Sequence, residues 1–438
     1  MRSAKYSWLP MMLLWVLIST SAAMAQKKDT GRNLPAPPPP TPYSDVKRDS
    51  MLNGMQIISL ERSGDQKVKC YLTIRTGSIF DLTGKTGLAK LTLDTLLAVN
   101  PRLKDEIESL QGSIEWGVSR DTTWFNIEIP PANFDTGMEI LGRLLVVESI
   151  RPDAFKAAQA ALISEIRNQK PTQAERADES FLKALYGDHP YGHNLNGNEQ
   201  TISGIKQGDV YDFMRRFYMA NNASVVVAGN ITHERVMRTF KGLWGGWAKG
   251  QIIQATFRSP AQNTQLRVIK VEQADAANVE IRGGVVGLKI TDPDFLVTEL
   301  MARILQARLG GEAGEVTVRS WPQVLPGPLA FSASVPADRA PELSRKMTES
   351  FAALATNSIA GEELAAAKSY LIGQYASLPV ELNLRNIEIY SLPRNFPLNV
   401  ATKIEAVTSA DIQRVAKKLL DANALTLLVS GKVSESFK

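Results

Sequence analysis

Residues 87–94 read G-L-A-K-L-T-L-D, and this stretch decides which fold the chain is assigned to. It lies in a predicted helix over 86–99. Lys90 and Asp94 are four residues apart and therefore share one face of that helix.

The chain also contains an internal repeat. Residues 203–229 align without a gap with residues 405–431, at an offset of 202. Each copy reads as a helix, a short turn at an asparagine and a buried strand that ends at glycine. The repeat predicts two domains of about 190 residues each. We assign them to residues 47–249 and 261–438, with the polar stretch 250–260 as the linker between them.

The N-terminal residues 1–25 have the pattern of a secretory signal peptide. Arg2 and Lys5 precede an apolar run, and residues 23–25 read A-M-A, an A-x-A cleavage site. Cleavage removes two positive charges and lowers the formal net charge from +5 to +3, which is too small to indicate nucleic-acid binding. No other stretch is long and apolar enough to span a bilayer. We therefore expect a periplasmic or secreted protein, with a Pro-rich linker over 26–46.

Residues 87–94 resemble the zinc helix of the pitrilysin/insulinase-type metallopeptidases (the inverzincins), which reads G-L-A-H-x-x-E-H. Other segments resemble the same family in order and spacing. They are N-G-M-Q-I-I at 53–58, G-S-I-E at 112–115, R-D-T-T at 120–123, H-P-Y-G at 189–192 and L-A-A-A-K-S-Y-L-I-G at 364–373. The resemblance implies an α+β fold of two homologous domains. Each would be an antiparallel sheet backed by helices, in a clam-shell arrangement similar to that of the processing peptidases.

The same resemblance implies that the zinc site is degenerate. Lys90 and Asp94 stand where the family has its two histidine ligands, and Leu93 stands where it has the glutamate that activates water. Glu165 matches the third ligand, a glutamate on a downstream helix. Two interpretations of this remnant stay open. Lys90 can form an ion pair with Asp94 or Glu165, which we favour, or the two carboxylates can form a weak cation site.

The second domain of the family supplies an arginine and, seven residues later, a tyrosine, which hold the substrate backbone and the developing oxyanion. Here Phe331 stands in the place of the tyrosine and has no hydroxyl group. Arg319 resembles the arginine but lies twelve residues before Phe331, because residues 321–326 are inserted. We therefore interpret Arg319 and Phe331 as a half-kept, displaced pair.

Histidine and cysteine are too scarce for another catalytic centre. The histidines are His189, His193 and His233, and the Pro and Gly between the first two break the helix that would align them for metal binding. His189 is expected to be structural. The single cysteine, Cys70, lies in an alternating strand and is expected to be a buried core residue.

These features predict a non-catalytic subunit of a pitrilysin-type zinc protease complex. Small bacterial members of the family resemble half-clams that associate in pairs, one with zinc and one without. The resemblance therefore implies no cofactor in this chain and a homologous zinc-bearing partner. We expect the chain to close the chamber and to bind an extended peptide by strand addition. The expected edge strand is formed by Ser113, Ile114, Glu115, Trp116, Gly117 and Val118.

Three alternatives stay open beside this prediction. Trp116 can pack against a peptide side chain or belong to the core. The chain can be a free-standing periplasmic peptide-binding or scaffold protein. It can also be a weakly active metallopeptidase that uses Asp94 and Glu165 with a different metal.

Overall fold

Two β-sheets with helices packed against them make up the described chain. The computed structural model describes residues 42–146, 149–254, 257, 265–273, 276–310, 316–420 and 425–432. The predicted signal peptide and residues 26–41 of the predicted Pro-rich linker lie outside these residues. So do residues 255, 256 and 258–260 of the predicted interdomain linker, whose described part has no regular secondary structure. No helix in the described ranges is both long and apolar enough to cross a membrane.

The first half of the described chain forms one sheet and its helices. The strands are β1 (Val46–Ser50), β2 (Gln56–Glu61), β3 (Val68–Ile74), β4 (Ser113–Val118), β5 (Thr123–Ile129) and β6 (Ala223–Gly229). The helices are α1 (Leu88–Val99), α2 (Leu103–Ser109), α3 (Phe134–Leu145), α4 (Pro152–Asn168), α5 (Gln173–Tyr186), α6 (Glu199–Gly204), α7 (Gln207–Phe217) and α8 (His233–Trp244).

The strands of the first sheet have the order β1-β2-β6-β3-β5-β4. All neighbours are antiparallel except β2 and β6, which run parallel with Ile57 opposite Val225. Every residue of β6 is buried, because this strand is central and covered on both faces. β4 lies at the edge, and within the described residues its outer side pairs with no other strand.

The second half repeats this arrangement with one strand fewer in the described residues. The strands are β7 (Arg267–Glu272), β8 (Val279–Val286), β9 (Val316–Ser320), β10 (Pro328–Val335) and β11 (Thr426–Gly431). The helices are α9 (Phe295–Leu309), α10 (Ala340–Thr356), α11 (Gly361–Ser377), α12 (Val380–Tyr390), α13 (Phe396–Ala406) and α14 (Ser409–Leu419).

The internal repeat is visible in both sheets. The second sheet has the order β7-β11-β8-β10-β9, and its only parallel pair in the described residues is β7 with β11. α7 with β6 therefore corresponds to α14 with β11. The repeated strands end at Gly229 and Gly431, whose φ angles are 142° and 148°. A Cβ at Gly229 would lie 2.8 Å from Lys67 O, so a side chain does not fit there. The repeated turn at Asn423 lies outside the described residues.

The sheets are mixed, which corrects the prediction of antiparallel sheets. Hydrophobic patterns indicate where a strand lies and which face it buries. They do not indicate whether the strand runs parallel or antiparallel to its neighbour. β6 and β11 each enter the sheet after a long helical connection, and this allows a parallel pairing on one side.

Each half contributes one helix to the sheet of the other half. α5 follows α4 in the first half but packs against β8 and β11 of the second sheet. α12 follows α11 in the second half but packs against β3 and β6 of the first sheet. Phe181 of α5 and Leu428 of β11 belong to one buried apolar cluster at this junction. The residues from Pro42 onward accordingly form one compact unit.

Candidate functional site

The helix α1 begins at a constrained turn. Gly87 precedes it with a φ angle of 90°, and a Cβ there would lie 2.6 Å from Cδ1 of Ile202. The helix has no side-chain cap at Gly87. Instead, the Asp81 carboxylate accepts hydrogen bonds from Gly87 N at 2.7 Å and from Ala89 N at 2.8 Å. Burial raises the pKa of Asp81 to about 7, against the lowering effect of these N–H groups.

Lys90 and Asp94 form an ion pair on the partly exposed face of α1. Lys90 Nζ lies 2.6 Å from Oδ1 and 2.5 Å from Oδ2 of Asp94. The two side chains are 25% and 20% exposed. Burial raises the pKa of Asp94, Lys90 lowers it, and Glu165 on α4 raises it, so the three charged groups lie near one another. The predicted ion pair is confirmed, with Asp94 as the partner of Lys90.

This set of side chains does not fit a zinc ion. Zinc in proteins takes thiolate, imidazole and carboxylate ligands, whereas the first position here holds an ammonium group bound to Asp94. Leu93 is 1% exposed and belongs to the core of the first half, so it offers no general base. Among the described residues, no three His, Cys, Asp or Glu side chains are grouped so that they could hold a metal ion.

The predicted peptide-binding residues form the edge strand β4, and their side chains alternate between the two faces of the sheet. Ile114 is buried in the core of the first half, and Trp116 and Val118 pack against that core as partly buried residues. Ser113 and Glu115 are exposed on the opposite face. The contacts of Trp116 therefore favour its interpretation as a core-packing residue.

The backbone of β4 leaves amide groups directed away from the sheet. Ser119 N donates to Thr122 O at 2.7 Å at the hairpin between β4 and β5. Hydrogen-bonded pairs alternate along an antiparallel ladder. The odd-numbered residues of β4 therefore direct their amides to β5, and Ile114, Trp116 and Val118 direct theirs outward. This is the arrangement that strand addition requires.

Arg319 and Phe331 do not form a functional pair. Arg319 is exposed on β9 opposite Ala330, whereas Phe331 lies opposite Val318 and so points to the other face of the sheet. Phe331 is 2% exposed, and its ring centroid is 4.9 Å from that of Phe351. The two side chains are therefore displaced from one another, in the direction that the insertion predicted, because neighbouring positions along a strand face opposite sides. Phe331 is a core residue.

The inserted residues 321–326 dock on the first half through the H-P-Y-G segment. Val324 N donates to Asp121 Oδ2 at 3.3 Å, and Leu325 N donates to the Tyr191 hydroxyl at 3.1 Å. That hydroxyl in turn donates to Asp121 Oδ1 at 2.7 Å. Burial raises the pKa of Asp121, and its hydrogen bonds oppose this. The network links the end of the β4–β5 hairpin to the second sheet.

His189 is a structural residue, as expected from the sequence. Its Nδ1 accepts a hydrogen bond from Tyr191 N at 3.2 Å, and its ring stacks on Tyr186 with a centroid distance of 5.4 Å. Burial, followed by the charge of His193, lowers the pKa of His189 to about 4. The side chain is therefore a neutral acceptor in a local turn.

His233 lies in a hydrogen-bond chain that sequence reasoning missed. His233 Nε2 is 2.7 Å from Asp49 Oδ2, and His233 Nδ1 is 2.7 Å from Ser59 Oγ. Ser59 is 2% exposed, so its hydroxyl group is closed to a substrate. The chain joins the start of α8 to β1 and β2. No local motif could have revealed it, because Ser59 and His233 are 174 residues apart in sequence.

Comparison with known proteins matches both halves of the chain to one family. The family model described as "Insulinase (Peptidase family M16)" matches residues 56–199, and "Peptidase M16 inactive domain" matches residues 204–371. The chain is 21% identical over 410 residues to mitochondrial-processing peptidase subunit beta of Dictyostelium discoideum, which covers 86% of each chain. It is 19% identical over 407 residues to the uncharacterized zinc protease YmxG of Bacillus subtilis, covering 88% of this chain and 98% of YmxG.

Solved structures share the fold. A peptidase M16 inactive domain from Pseudomonas fluorescens is similar with a TM-score of 0.79 at 18% identity, covering 89% of this chain and 99% of that one. The periplasmic protease PqqL of Escherichia coli is similar with a TM-score of 0.75 at 14% identity, covering 90% of this chain but 48% of PqqL. With matched family models over both halves, a repeated α+β architecture and a remnant of the zinc helix, the chain is a member of the M16, insulinase-type peptidase family.

Proposed function

We propose that this chain is a non-catalytic subunit of an M16 zinc protease complex that helps to enclose and bind extended peptides. It acts with a homologous subunit that carries the zinc ion, in the periplasm or outside the cell. The Lys90–Asp94 ion pair on α1 is the observation behind this proposal, because it stands where the family binds its metal.

Retention of the fold without the catalytic groups supports a binding role. α1 keeps its constrained start at Gly87 and its packing in the core, yet Lys90 and Leu93 supply neither a ligand nor a general base. The edge strand β4 lies beside α1. β4 keeps an outer side that no strand of the described chain occupies, and its outward amides suit an extended peptide.

Pairing with a homologous subunit is supported by what the related proteins are. The Dictyostelium relative is named as a subunit of a processing peptidase. The matched region of PqqL is about half of that protease, and its first half alone is also similar to this chain, with a TM-score of 0.71. One chain of this size therefore corresponds to about half of PqqL. A partner with the intact H-x-x-E-H motif would supply the other.

Purification from the native host tests the proposal. The full-length chain is tagged at its C-terminus, the periplasmic and extracellular fractions are separated from the cytoplasm, and the co-eluting proteins are identified by mass spectrometry with zinc analysis. We expect a stoichiometric partner that carries H-x-x-E-H and one zinc ion per complex. Recovery of the chain in the cytoplasm would contradict the proposed location.

Two other outcomes contradict the subunit role in different ways. A lone, metal-free chain that binds peptides would support the second candidate, a free-standing peptide-binding protein. Stoichiometric metal on the purified chain itself, lost in an Asp94→Asn variant, would instead support a weak metallopeptidase. Lys104→Met removes an exposed lysine from a different helix. This control variant should leave both the metal content and complex formation unchanged.

A further inference from the structure

A second tryptophan beside the edge strand, Trp124, lies on the face of the first sheet opposite to that of Trp116. Trp124 of β5 pairs with Gly117 of β4, so it shares the face on which Ser113 and Glu115 are exposed. The side chain of Trp124 is partly buried. Within the described residues, it belongs to none of the buried apolar clusters and packs against none of them. Core packing therefore does not account for a side chain of this size at this position.

The ring of Trp124 lies over Gly117 of the edge strand. A Cβ at Gly117 would be 2.7 Å from Cζ2, 3.0 Å from Cε2 and 3.2 Å from Nε1 of Trp124, so the ring occupies the place that a side chain would take. Gly117 is not among the described glycines with a positive φ angle, so its backbone conformation does not require glycine. A glycine inside a strand often marks the close approach of another group. Here that group is the indole ring.

The edge of the Trp124 ring that lies above β4 is open to solvent. Trp124 Nε1 makes no hydrogen bond with the described residues, and it is not one of their buried unpartnered polar atoms, so water reaches it. Because Nε1 is 3.2 Å from the Cβ position at Gly117, the solvated part of the ring lies directly at the edge strand. An aromatic ring with an apolar body and a solvated N–H group is typical of binding surfaces.

A peptide strand added to β4 would pass beside this ring. Trp116 and Val118 direct their amides outward, from the alternation that begins at Ser119. A peptide that pairs antiparallel with these amides places one residue opposite Gly117, in a non-hydrogen-bonded pair with Cα atoms about 4.5 Å apart. Side chains of opposite residues lie on the same face of a sheet. The side chain of that peptide residue therefore meets the Trp124 ring, because Gly117 places no side chain between them.

The surface that meets this peptide residue is apolar at one position only. It consists of the edge of the Trp124 ring and the bare backbone of Gly117. The preceding positions of β4 on the same face, Ser113 and Glu115, are polar and exposed. Aromatic and aliphatic side chains on neighbouring strands stabilise a sheet when they pack together, and two aromatic rings favour edge-to-face contact. The surface therefore suits one large apolar side chain in an otherwise polar row.

We propose that Trp124 and Gly117 form a subsite for one large apolar side chain, aromatic or long aliphatic, of a peptide added to β4. This inference rests on the proposed function in one respect, that the chain binds extended peptides along β4. It adds a specificity: Trp124 selects peptides by the size and apolar character of the residue opposite Gly117. Trp116, on the other face of the strand, has no part in this selection.

Fluorescence anisotropy with labelled peptides tests the proposal on the full-length chain. Two peptides of serine and threonine differ only in their central residue, which is phenylalanine or alanine. We expect the phenylalanine peptide to bind about tenfold more tightly, because an aromatic side chain is withdrawn from water. Trp124→Ala should remove this preference, and Trp124→Phe should keep part of it. Tyr370→Ala, which removes an exposed aromatic ring from α11, should keep all of it.

Gly117→Ala tests the geometry without removing the ring. The added methyl group would lie 2.7 Å from Cζ2 of Trp124, so the ring must move, while the outward amides of β4 are kept. We expect the preference to fall to about threefold, half of the wild-type preference in free energy. A loss of affinity for the phenylalanine peptide that is equally large in the Trp124→Ala background would show that the methyl group acts on the strand itself, which overturns the proposed contact. Thermal unfolding of each variant controls for folding.

The possible outcomes separate this inference from the proposed function. If both peptides bind the wild type equally and Val118→Pro weakens both, strand addition is right and the subsite is wrong. A preference that persists in Trp124→Ala places the apolar contact elsewhere and also overturns the subsite. Loss of a co-purifying partner from Trp124→Ala, with the peptide preference unchanged, would show that the ring contacts that partner instead. If neither peptide binds, peptide binding along β4 is wrong, and the subsite is overturned with it.

Discussion

At the residue scale, one ammonium group occupies the place of a dication. Lys90 Nζ contacts both carboxylate oxygens of Asp94, and Glu165 lies close enough to raise the pKa of Asp94. Without a cation, these two carboxylates would repel each other across the α1–α4 contact. Lys90 thus gives α1 and α4 a stable contact in a chain that does not have the zinc ligands.

Replacing Lys90 by methionine should make stability depend more strongly on pH. The folded-state pKa of Asp94 is already raised, and it rises further when Lys90 no longer offsets burial. The protonated form of such a group is favoured in the folded state, so stability is lost as the pH rises through the folded pKa. We expect the free energy of unfolding to fall by about 1–2 kcal/mol relative to wild type at pH 8 and by less at pH 4, measured by urea denaturation.

Lys104→Met is the matched control, because Lys104 and Glu108 form an exposed pair at 3.8 Å with the same i,i+4 spacing. We expect a change below about 0.5 kcal/mol there, with no added pH dependence. Equal effects at the two sites would show that Lys90 has no special role at α1.

Restoring the family residues on α1 should create a zinc site. The triple variant Lys90→His, Leu93→Glu, Asp94→His regains H-x-x-E-H on a helix whose start at Gly87 is unchanged, with Glu165 as the expected third ligand. We expect one zinc ion per chain by atomic spectroscopy after dialysis. Adding Glu165→Gln should weaken retention of the metal. A triple variant that folds and holds no zinc would show that Glu165 is not placed as a ligand.

At the element scale, the start of α1 is set by a buried carboxyl group. Asp81 caps the helix from six residues before Gly87, which no local capping pattern in the helix itself would show. Burial dominates over its hydrogen bonds, so the pKa is raised from 3.8 to about 7. The contribution of protonated Asp81 to stability is present below pH 3.8 and is lost as the pH rises towards 7.

Asp81→Asn should remove this part of the pH dependence. The amide oxygen can accept one of the two backbone N–H groups that the carboxylate oxygens bind, and the amide does not ionise. Between pH 4.5 and 7.5, we expect the free energy of unfolding of the variant to decline less steeply than that of wild type. Glu299, whose pKa burial also raises to about 7, is the comparison: Glu299→Gln should flatten the profile independently, and the double variant should show both effects. An unchanged slope in Asp81→Asn would mean that Asp81 is already ionised at pH 4.5.

The edge strand β4 allows a proline test of strand addition. Val118 directs its amide outward and Gly117 directs its amide to β5, from the alternation that begins at Ser119. We expect Val118→Pro to weaken peptide binding about tenfold while the melting temperature stays within a few degrees, because proline is tolerated on an edge. Gly117→Pro should break a ladder bond and lower the melting temperature. Unchanged binding in Val118→Pro would place the peptide elsewhere.

Sequence patterns predicted the elements better than their arrangement. The helix over 86–99 is observed as Leu88–Val99, and the expected edge strand is observed as Ser113–Val118, because helix and strand periodicity are local. The parallel pairs and the exchange of α5 and α12 depend on contacts between distant segments. The same contrast holds for side-chain contacts: the Lys90–Asp94 pair follows from i,i+4 spacing, whereas His233 and Ser59, which are 174 residues apart, meet only in the folded chain.

At the scale of the whole molecule, α5 and α12 hold the two halves together, because each packs on the sheet of the other half. A buried arginine, Arg282 of β8, anchors α5: it donates to Asp178 and to Ala174 O at 3.3 Å on that helix, and to Glu280 at 3.0 Å on its own strand. Arg282 and Glu280 are 7% and 6% exposed. The two contacts to Asp178 and Ala174 depend on α5 lying against the second sheet.

Arg282→Met should destabilise the whole unit. It leaves the Glu280 carboxylate buried without its cation, which costs about 3–5 kcal/mol. Adding Glu280→Gln should recover much of this loss. Arg345→Met, which breaks an exposed pair with Glu349 at 2.8 Å, should change the free energy of unfolding by less than about 0.5 kcal/mol. A loss in Arg282→Met limited to the second half, seen as two separate unfolding transitions, would contradict this role.

The exchanged helices have a consequence for what a protease nick would do to this chain. Residues 251–254 are exposed and lack regular secondary structure, so the connection between the halves can be cut there. The two fragments would stay associated, because α5 of the first fragment packs on the second sheet and α12 of the second fragment packs on the first sheet. Each fragment alone would expose the apolar face of its sheet that the helix of the other fragment covers in the intact chain. Two genes that encode the halves separately should therefore give a soluble complex when they are expressed together in one cell. Either gene expressed alone should give a product that aggregates.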